Sequence, residues 1–319
     1  MSKRALITGI SGFAGSHLAE YLLVRDFQVT GIVLNKENPN LEKISHQTQL
    51  FEADLRNKKK VVKILSQVKP DQIYHLAGLT IPRLSFGKAK ETFEVNLFST
   101  LSLFESLVEL SLRPTFVNIG SAEEYGITTV GKKISEKTEF NPASPYAVSK
   151  LAQDYLGLFY FKSYHIPVIR LRPFNHIGPR QNESLATSSF AKQITQIEKG
   201  LQKPVILVGN LTAKRDFTDV RDMVRAYYLA SQKCTPGEVY NIGTGTSYSL
   251  DKVLKILLSC SKVKIKIKVD QKLFRAVDIP DLVCNPAKFI KTTGWRPKIN
   301  LEQTLTDILN YWRGQVRGQ

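Results

Sequence analysis

The sequence predicts an α/β protein in which a parallel sheet carries helices on both faces. Short apolar runs alternate with stretches whose apolar residues recur at helical spacing, and this alternation is typical of such sheets. A glycine-rich turn joins the first apolar run to the first helical stretch. The chain has 319 residues, which is enough for one large domain or two ordinary ones.

The predicted strands follow one another with helical stretches between most of them. The apolar runs predicted to be strands of the sheet are residues 5–8, 28–33, 50–53, 72–76, 115–119 and 167–171. The first helical stretch begins near Phe13, and the longest covers residues 86–110. A further strand with one buried face is predicted at residues 262–269, where lysines alternate with valine and isoleucine.

The turn after the first strand carries Gly9, Gly12 and Gly15. A tight turn needs the first glycine, close approach of a pyrophosphate needs the second, and helix-on-strand packing needs the third. The start of the following helix presents free N–H groups and a positive dipole end to phosphate. The turn therefore predicts a dinucleotide site.

The end of the second predicted strand bears on the choice of dinucleotide. An acidic residue there usually binds the 2′-hydroxyl of NAD, but this chain has Asn35 and Lys36. Lys36 offers a point charge to a 2′-phosphate. We therefore expect NADP(H) to be preferred, with NAD(H) still possible. Asp54 and Leu55, which follow the third strand, are placed to meet the adenine end.

A serine, a tyrosine and a lysine form the candidate catalytic group. Ser144 and Pro145 are a good N-cap and first residue for a helix that carries Tyr146 and Lys150. These two residues are four apart and share a face, so the lysine is expected to stabilise the phenolate. Ser121, at the end of the fifth strand, is expected to hold a substrate oxygen against Tyr146.

Composition narrows the possible partners. The formal net charge is +17, which indicates either attraction to a polyanion or an ordinary solvated face; no arginine-rich helix supports nucleic-acid binding. The cysteines are scattered and no histidines pair at ligand spacing, so no metal is expected. With no apolar run of membrane length and no signal peptide, we expect a cytoplasmic protein without a membrane partner.

These motifs resemble the extended short-chain dehydrogenase/reductase superfamily, also called the NAD-dependent epimerase/dehydratase family, along essentially the whole chain. Residues 174–180, 209–222 and 293–297 resemble its GDP-sugar branch, which holds GDP-mannose 4,6-dehydratases and GDP-4-keto-6-deoxy-mannose reductases. The resemblance implies a Rossmann-type doubly wound parallel sheet with a smaller C-terminal mixed α/β substrate domain. Residues 1–172 would form mainly the first and 173–319 mainly the second, with the chain crossing back at roughly 210–245.

The same resemblance implies further site residues and a homodimer. The implied cofactor contacts beyond those above are Phe13, Leu76, Ala77 and Asn96, and the implied contacts with a GDP-linked sugar are Asn175, Lys192, Gly209, Arg215, Arg275 and Asp278. Ala276 and Asp278 depart conservatively from the family's Arg-Pro-x-Glu pattern. The dimer would form through the helix of Tyr146 and the long helix before it.

Glu123 leaves the reaction open. In the family's dehydratases a glutamate here removes the C5 proton and helps expel the C6 hydroxyl, but it follows an aspartate or serine, and this chain has Ala122. The family's reductases also often carry an acid at this position. We expect NADPH-dependent reduction of the C4 ketone of a GDP-4-keto-6-deoxy-hexose. The alternatives are a GDP-mannose 4,6-dehydratase, another nucleotide-sugar epimerase and a non-catalytic dinucleotide-binding protein.

Overall fold

The computed structural model describes residues 2–274 and 277–316. Its strands are β1 (Arg4–Thr8), β2 (Gln28–Val33), β3 (Gln49–Glu52), β4 (Gln72–His75), β5 (Thr115–Ile119), β6 (Val168–Pro173), β7 (His176–Ile177), β8 (Val205–Val208), β9 (Lys214–Asp216), β10 (Thr218–Asp219), β11 (Val239–Ile242), β12 (Ser247–Ser249), β13 (Lys266–Val269) and β14 (Asp281–Leu282). Its helices are α1 (Phe13–Leu23), α2 (Lys58–Val68), α3 (Pro82–Ser85), α4 (Ala89–Phe93), α5 (Ser99–Glu109), α6 (Pro145–Tyr164), α7 (Ala186–Glu198), α8 (Val220–Lys233), α9 (Leu250–Ser259), α10 (Ala287–Thr293) and α11 (Leu301–Gln315).

A seven-stranded parallel sheet forms the centre of the molecule, as the sequence predicts. Its strand order is β11-β6-β5-β4-β1-β2-β3, and every neighbouring pair runs parallel. The six predicted strands occupy their expected places within one or two residues. The seventh strand, β11, joins the sheet beside β6 although the sequence pattern did not single it out.

Apolar cores cover both faces of this sheet. On one face, Leu18 of α1 and Val224 of α8 are buried against strand residues such as Ile7. On the other, Phe104 of α5 packs against Phe116 of β5, with ring centroids 4.5 Å apart, and α2 and α6 complete the layer. Helices on both faces bury the sheet completely, which explains the nearly continuous apolar runs of its strands.

The long helix predicted for residues 86–110 is interrupted. It begins at Ala89 and contains a π-helical turn at Glu94–Phe98 between α4 and α5, and residues 82–85 form the separate short helix α3. The π turn contains Asn96, whose buried amide accepts a hydrogen bond from the Leu79 N–H at 2.7 Å and donates to the Leu79 carbonyl. A π turn inserts one residue, and such turns are frequent at functional sites.

The predicted strand at residues 262–269 is only partly correct. Residues 266–269 form β13, which pairs with β8, but Ile267 and Val269 are 45% and 52% exposed instead of buried. Their register partners Ile206 and Val208 are buried against α7, α9 and α11. Because β13 is the outer strand of a two-stranded sheet, its apolar side extends past the core that β8 covers.

The remaining small sheets lie in the second half of the chain. β9 lies between β12 and β14 in a three-stranded sheet, and β7 pairs with β10. Among the described residues, no helix is both long enough and apolar enough to cross a membrane.

Candidate functional site

The carboxyl ends of the central strands surround a cavity of about 660 Å³. Ligands of open parallel sheets bind at this edge. The predicted site residues on its wall are Gly9, Gly12, Phe13, Gly15, Asn35, Asp54, Leu55, Leu76, Ala77, Ser121, Glu123, Tyr146, Lys150 and Asn175. The fold thus brings together residues that are spread over more than half of the chain.

The glycine turn packs so closely against neighbouring backbone that Gly9 and Gly15 have no room for a side chain. Gly9 has a φ of +71°, and a Cβ there would lie 2.9 Å from the Ala77 backbone. A Cβ on Gly15 would lie 2.1 Å from the Gly9 carbonyl oxygen. Gly12 donates to that same oxygen at 2.9 Å and caps α1 without a side chain. The start of α1 therefore faces the cavity with backbone N–H groups and no side chain at Gly12.

Arg56 is a positive group on the cavity wall that the sequence reasoning missed. Its Nε and Nη2 donate to the Asp54 carboxylate at 3.0 and 2.6 Å, and its Nη1 lies 3.4 Å from Glu94. The Arg56 hydrogen bond holds the pKa of Asp54 below its usual value. Lys36, in contrast, is exposed and does not line the cavity. The available signal was an arginine two residues after Asp54.

Asn96 lies behind the wall of the cavity. Its buried amide donates to the Ser149 hydroxyl at 2.9 Å in addition to its bonds with Leu79. It therefore links the loop after β4 to the N-terminal part of α6. The neighbouring Ala77 donates its N–H to Thr8 Oγ1 at 3.2 Å, and Thr8 is hydrogen-bonded in turn to the buried His75 at 2.7 Å.

Tyr146 and Ser121 meet on the cavity wall. Ser144 caps α6 by accepting a hydrogen bond from the Ala147 N–H at 3.1 Å, and Tyr146 follows in the first turn. Burial raises the pKa of Tyr146 well above its ordinary value; a hydrogen bond with Ser121 opposes this shift, and the carboxylates of Glu123 and Glu124 add to it. In the protein alone, Tyr146 is therefore a protonated phenol at neutral pH.

Lys150 is held in place by two hydrogen bonds. Its Nζ donates to the Ile119 carbonyl at 2.5 Å and to Gln153 Oε1 at 2.7 Å. Burial lowers the pKa of Lys150, and Glu124 and Asp154 oppose that shift. The pKa of Tyr146 is raised in the protein alone, because burial and the carboxylates of Glu123 and Glu124 outweigh the hydrogen bond with Ser121.

A buried ion network lies beneath the candidate catalytic group. The Ser121 N–H donates to Glu124 Oε1 at 2.7 Å, and Glu124 Oε2 lies 2.9 Å from Arg172 Nε. Arg172 also pairs with Asp154, one helical turn after Lys150 on α6. Desolvation raises the pKa of Glu124. The sequence reasoning missed this network, although Ser121 and Glu124 show capping-box spacing.

The residues implied to bind the sugar nucleotide are only partly brought together. Asn175 lines the cavity. Arg215 and Asp278 form an ion pair with 3.2 Å between Nη2 and Oδ1, and neither of them lines the cavity. Asn210 donates to the same Asp278 carboxylate at 2.7 Å. A Cβ on Gly209 would lie 2.9 Å from the Leu273 carbonyl oxygen, so the chain passes closely there.

The resemblance also implies contacts by Lys192 and Arg275. Lys192 forms an ion pair with Glu183 and does not line the cavity. Arg275 lies outside the described residues. Within residues 2–274 and 277–316, no cluster of three or more histidine, cysteine, aspartate or glutamate side chains is arranged to hold a metal ion.

The parallel sheet carries a glycine turn at its carboxyl edge, and Ser121, Tyr146 and Lys150 lie on the wall of the cavity there. This arrangement is that of an extended short-chain dehydrogenase/reductase. Within that class the chain belongs to the GDP-mannose 4,6 dehydratase family, whose sequence profile matches residues 6–308. It is therefore an enzyme of an NAD(P)-dependent family of GDP-sugar reductases and dehydratases.

Similar proteins include both of these activities. The chain is 33% identical to GDP-6-deoxy-D-mannose reductase of Pseudomonas aeruginosa, over 99% of each chain. It is 28% identical to GDP-mannose 4,6-dehydratase of Vibrio cholerae, over 97% of this chain and 93% of that one.

Solved structures show the same fold. RMD from Pseudomonas aeruginosa, complexed with NADPH, superposes with a TM-score of 0.87 at 31% identity, covering 99% of this chain and 100% of that one. UDP-glucose 4-epimerase of Thermus thermophilus, in complex with NAD, superposes with a TM-score of 0.89 at 27% identity, covering 98% and 100%.

Proposed function

We propose that this enzyme reduces the C4 ketone of a GDP-4-keto-6-deoxy-hexose with NADPH. The observation that carries the proposal is the hydrogen-bonded pair of Ser121 and Tyr146 on the cavity wall, next to the buried, apolar Ala122. The similarity to GDP-6-deoxy-D-mannose reductase supports the same reaction.

The residues at the carboxyl edge fit a dinucleotide. The backbone N–H groups at the start of α1 suit its pyrophosphate. Asp54 and Leu55 lie on the wall near the end of β3, where the adenine would bind, and Tyr146 and Lys150 lie on the wall at the start of α6. When bound, the reduced nicotinamide supplies a hydride to the ketone carbon.

Tyr146 and its neighbours would manage the proton. The raised pKa of Tyr146 keeps it protonated, so the phenol can donate its proton to the developing C4 oxygen. Ser121 hydrogen-bonds that oxygen and holds it against the phenol. Lys150, charged and buried one helical turn away, stabilises the phenolate that remains and binds the ribose next to the nicotinamide.

The test is oxidation of NADPH by the purified enzyme in the presence of GDP-4-keto-6-deoxy-mannose. Tyr146→Phe should abolish most of the turnover while NADPH still binds, because only the transferable proton is removed. Tyr164→Phe, at the far end of the same helix, is the matched control and should keep wild-type turnover. Near-native turnover by Tyr146→Phe would overturn the assignment.

A 4,6-dehydratase is the second candidate, and the position of Glu123 favours it. Its carboxylate lines the cavity and lies close enough to Tyr146 to raise the pKa of the phenol. As a dehydratase base it would take the C5 proton, and the C6 hydroxyl would leave as water. Glu123→Gln separates the two reactions: a large loss of turnover indicates the dehydratase, and a small one supports the reductase.

We further propose that NADP(H) is preferred over NAD(H). Asn35, two residues after the end of β2, stands where an acidic residue would bind the 2′-hydroxyl of NAD, and Arg56 lies on the same cavity wall. A positive group there attracts a 2′-phosphate, whereas an acid would repel it. We also propose that the enzyme is a homodimer, as the resemblance implies.

A further inference from the structure

Tyr227 has a buried hydroxyl that the mechanism above does not use. It lies in the middle of α8, and its side chain is completely buried in the core that α1 and α8 form against the sheet. Its hydroxyl has no hydrogen-bond partner among the described residues. Because burying a hydroxyl without a partner costs stability, phenylalanine would serve a purely structural role better.

The hydroxyl of Tyr227 is directed toward the functional edge of the sheet. α8 begins at that edge, where the Val220 side chain packs closely against Gly178, and its last turn lies at the opposite edge, where Gln232 contacts Lys3. Helical side chains lean toward the N-terminus of their helix. Tyr227 accordingly reaches the cavity wall.

Tyr227 lies at the reacting end of the cavity. A charge on Tyr146 would act on the Tyr227 phenol closely enough to raise its pKa. Ile119, whose carbonyl holds Lys150, belongs to the same core cluster as the Tyr227 ring. The adenine end, marked by Asp54 and Leu55, is on the other side of the glycine turn, since β3 is the far strand of the sheet.

We propose that Tyr227 is a cofactor-binding residue whose hydroxyl hydrogen-bonds the carboxamide of the nicotinamide ring and thereby orients the ring toward Tyr146. This inference rests on the proposed function, which places the nicotinamide beside Tyr146. The carboxamide offers both donors and an acceptor, and a phenol can satisfy either. No other substituent of the nicotinamide ring forms hydrogen bonds of this kind.

The proposal predicts opposite effects on stability and on binding. In the free enzyme, Tyr227→Phe removes an unsatisfied polar atom and keeps the ring, so the unfolding midpoint should stay the same or rise. Binding of NADPH should weaken by about tenfold, as expected for one lost hydrogen bond to a buried partner. A residue that only packs in the core would not combine these two results.

The experiment compares two ligands that differ in the nicotinamide. Purified wild-type enzyme and Tyr227→Phe are titrated calorimetrically with NADPH and with 2′-phospho-ADP-ribose, which keeps the adenine end and the pyrophosphate. If the wild type binds NADH more tightly, NADH and ADP-ribose replace them. We expect weaker binding of the intact cofactor alone, with equal binding of the fragment by both proteins.

The matched control is Tyr228→Phe. Tyr228 is the next residue of α8, but its ring packs against Tyr21 and Phe27 on the α1 side of the helix, with centroids 5.7 and 6.1 Å away. It should leave both affinities unchanged. Thermal unfolding of all three proteins without ligand supplies the stability readout.

Several outcomes overturn the proposal. Equal weakening of cofactor and fragment would indicate a general disturbance of the site, and unchanged binding of both would indicate a hydroxyl satisfied within the core or by the sugar. A wild type that binds no nicotinamide dinucleotide overturns this inference together with the cofactor of the proposed function. A wild type that binds NADPH but reduces no sugar overturns the proposed function alone, because the titrations contain no sugar.

Discussion

At the scale of single residues, the candidate site consists of a few groups on the cavity wall held by buried groups behind them. Ser121 is held at its backbone by Glu124, and Lys150 is held by Gln153 and the Ile119 carbonyl. The sequence could suggest the groups on the wall, because their residue types and their positions after strands are informative. Their partners come from other segments, and only the fold shows that these segments meet.

Arg56 shows both the strength and the limit of sequence reasoning about the cofactor. The sequence shows Asn35 and Lys36 instead of an acid just after the second strand, and it favours Lys36 as the positive group because that residue is nearer in the chain. Arg56 lies on the cavity wall, whereas the exposed Lys36 does not line it. The end of β3 lies beside the end of β2 in the sheet, and that adjacency is invisible in a linear motif.

Arg56→Gln should reduce the preference for NADPH over NADH. Loss of a charge-assisted contact with the 2′-phosphate is expected to weaken NADPH binding by about tenfold, while NADH binding changes little. Lys36→Gln is the comparison and should change both affinities only slightly, because Lys36 is exposed. Calorimetric titration of each variant with both cofactors decides; a selective loss in Lys36→Gln instead would assign the charge to Lys36.

At the scale of elements, the apolar strands of the sheet were the most predictable part of the chain. Their runs are bounded by turn residues and buried on both faces, so pattern and environment agree. β11 has only four residues and was not singled out, and the π turn depends on the contact of Asn96 with Leu79. In residues 262–269 the alternation of lysine with valine and isoleucine correctly predicts a strand at 266–269. Alternation alone does not reveal that this strand is the last one of its sheet.

Gly15→Ala tests the packing of α1 on the glycine turn. The added Cβ would lie 2.1 Å from the Gly9 carbonyl oxygen, so helix and turn must separate. We expect a loss of about 2 kcal/mol in the free energy of unfolding and at least about tenfold weaker cofactor binding. Gly314→Ala in α11, where nothing lies within 4 Å of the new Cβ, should be neutral or stabilising by up to about 1 kcal/mol.

Denaturant unfolding of both alanine variants, with cofactor titration of the folded proteins, provides the measurement. Equal effects of the two substitutions would show that the turn is not closely packed against α1.

His17 connects α1 to the segment after β7 and should make stability depend on pH. Its Nε2 lies 3.0 Å from the Pro179 carbonyl oxygen, and burial together with Arg180 lowers its pKa to about 4. The unfolded chain, with an ordinary histidine pKa near 6.5, therefore binds a proton first as the pH falls. The free energy of unfolding should therefore decrease by about 3 kcal/mol as the pH falls from about 6.5 to about 4.

Urea unfolding between pH 7.5 and 4.5 measures this dependence. The decrease should be smaller in His17→Gln than in the wild type and unchanged in His46→Gln, which alters an exposed histidine. The same pH slope in His17→Gln and in the wild type would show that other groups cause it.

At the scale of the whole molecule, the fold class was predictable, whereas the substrate site in the second half of the chain was less so. Arg215, Asp278 and Gly209 were expected together, and the structure places Arg215 and Asp278 in contact but off the described cavity. Short strands and close turns arrange this region, and such elements leave weak sequence patterns. The division of the chain into two domains stays a prediction.

The proposed homodimer is supported by an exposed apolar surface on α6 and the π turn. Val148, Tyr155 and Phe159 share one face of α6 and are 40–52% exposed, and Phe98 is 50% exposed. We expect sedimentation at twice the 36.0 kDa chain mass. Phe159→Glu should yield monomer, and Val24→Glu, at a site exposed elsewhere, should not. A monomeric wild type at micromolar concentration would contradict the dimer.

The proposed enzyme reduces a sugar ketone at C4 and consumes its cofactor in doing so. The most direct measurement uses NADPH deuterated at the transferable position, with GDP-4-keto-6-deoxy-mannose and the purified enzyme, and follows the product by NMR. We expect one NADPH to be oxidised for each sugar and deuterium to appear at C4 of a 6-deoxy product. No NADPH oxidation, together with conversion of GDP-mannose into a 4-keto-6-deoxy sugar without net cofactor loss, would contradict it.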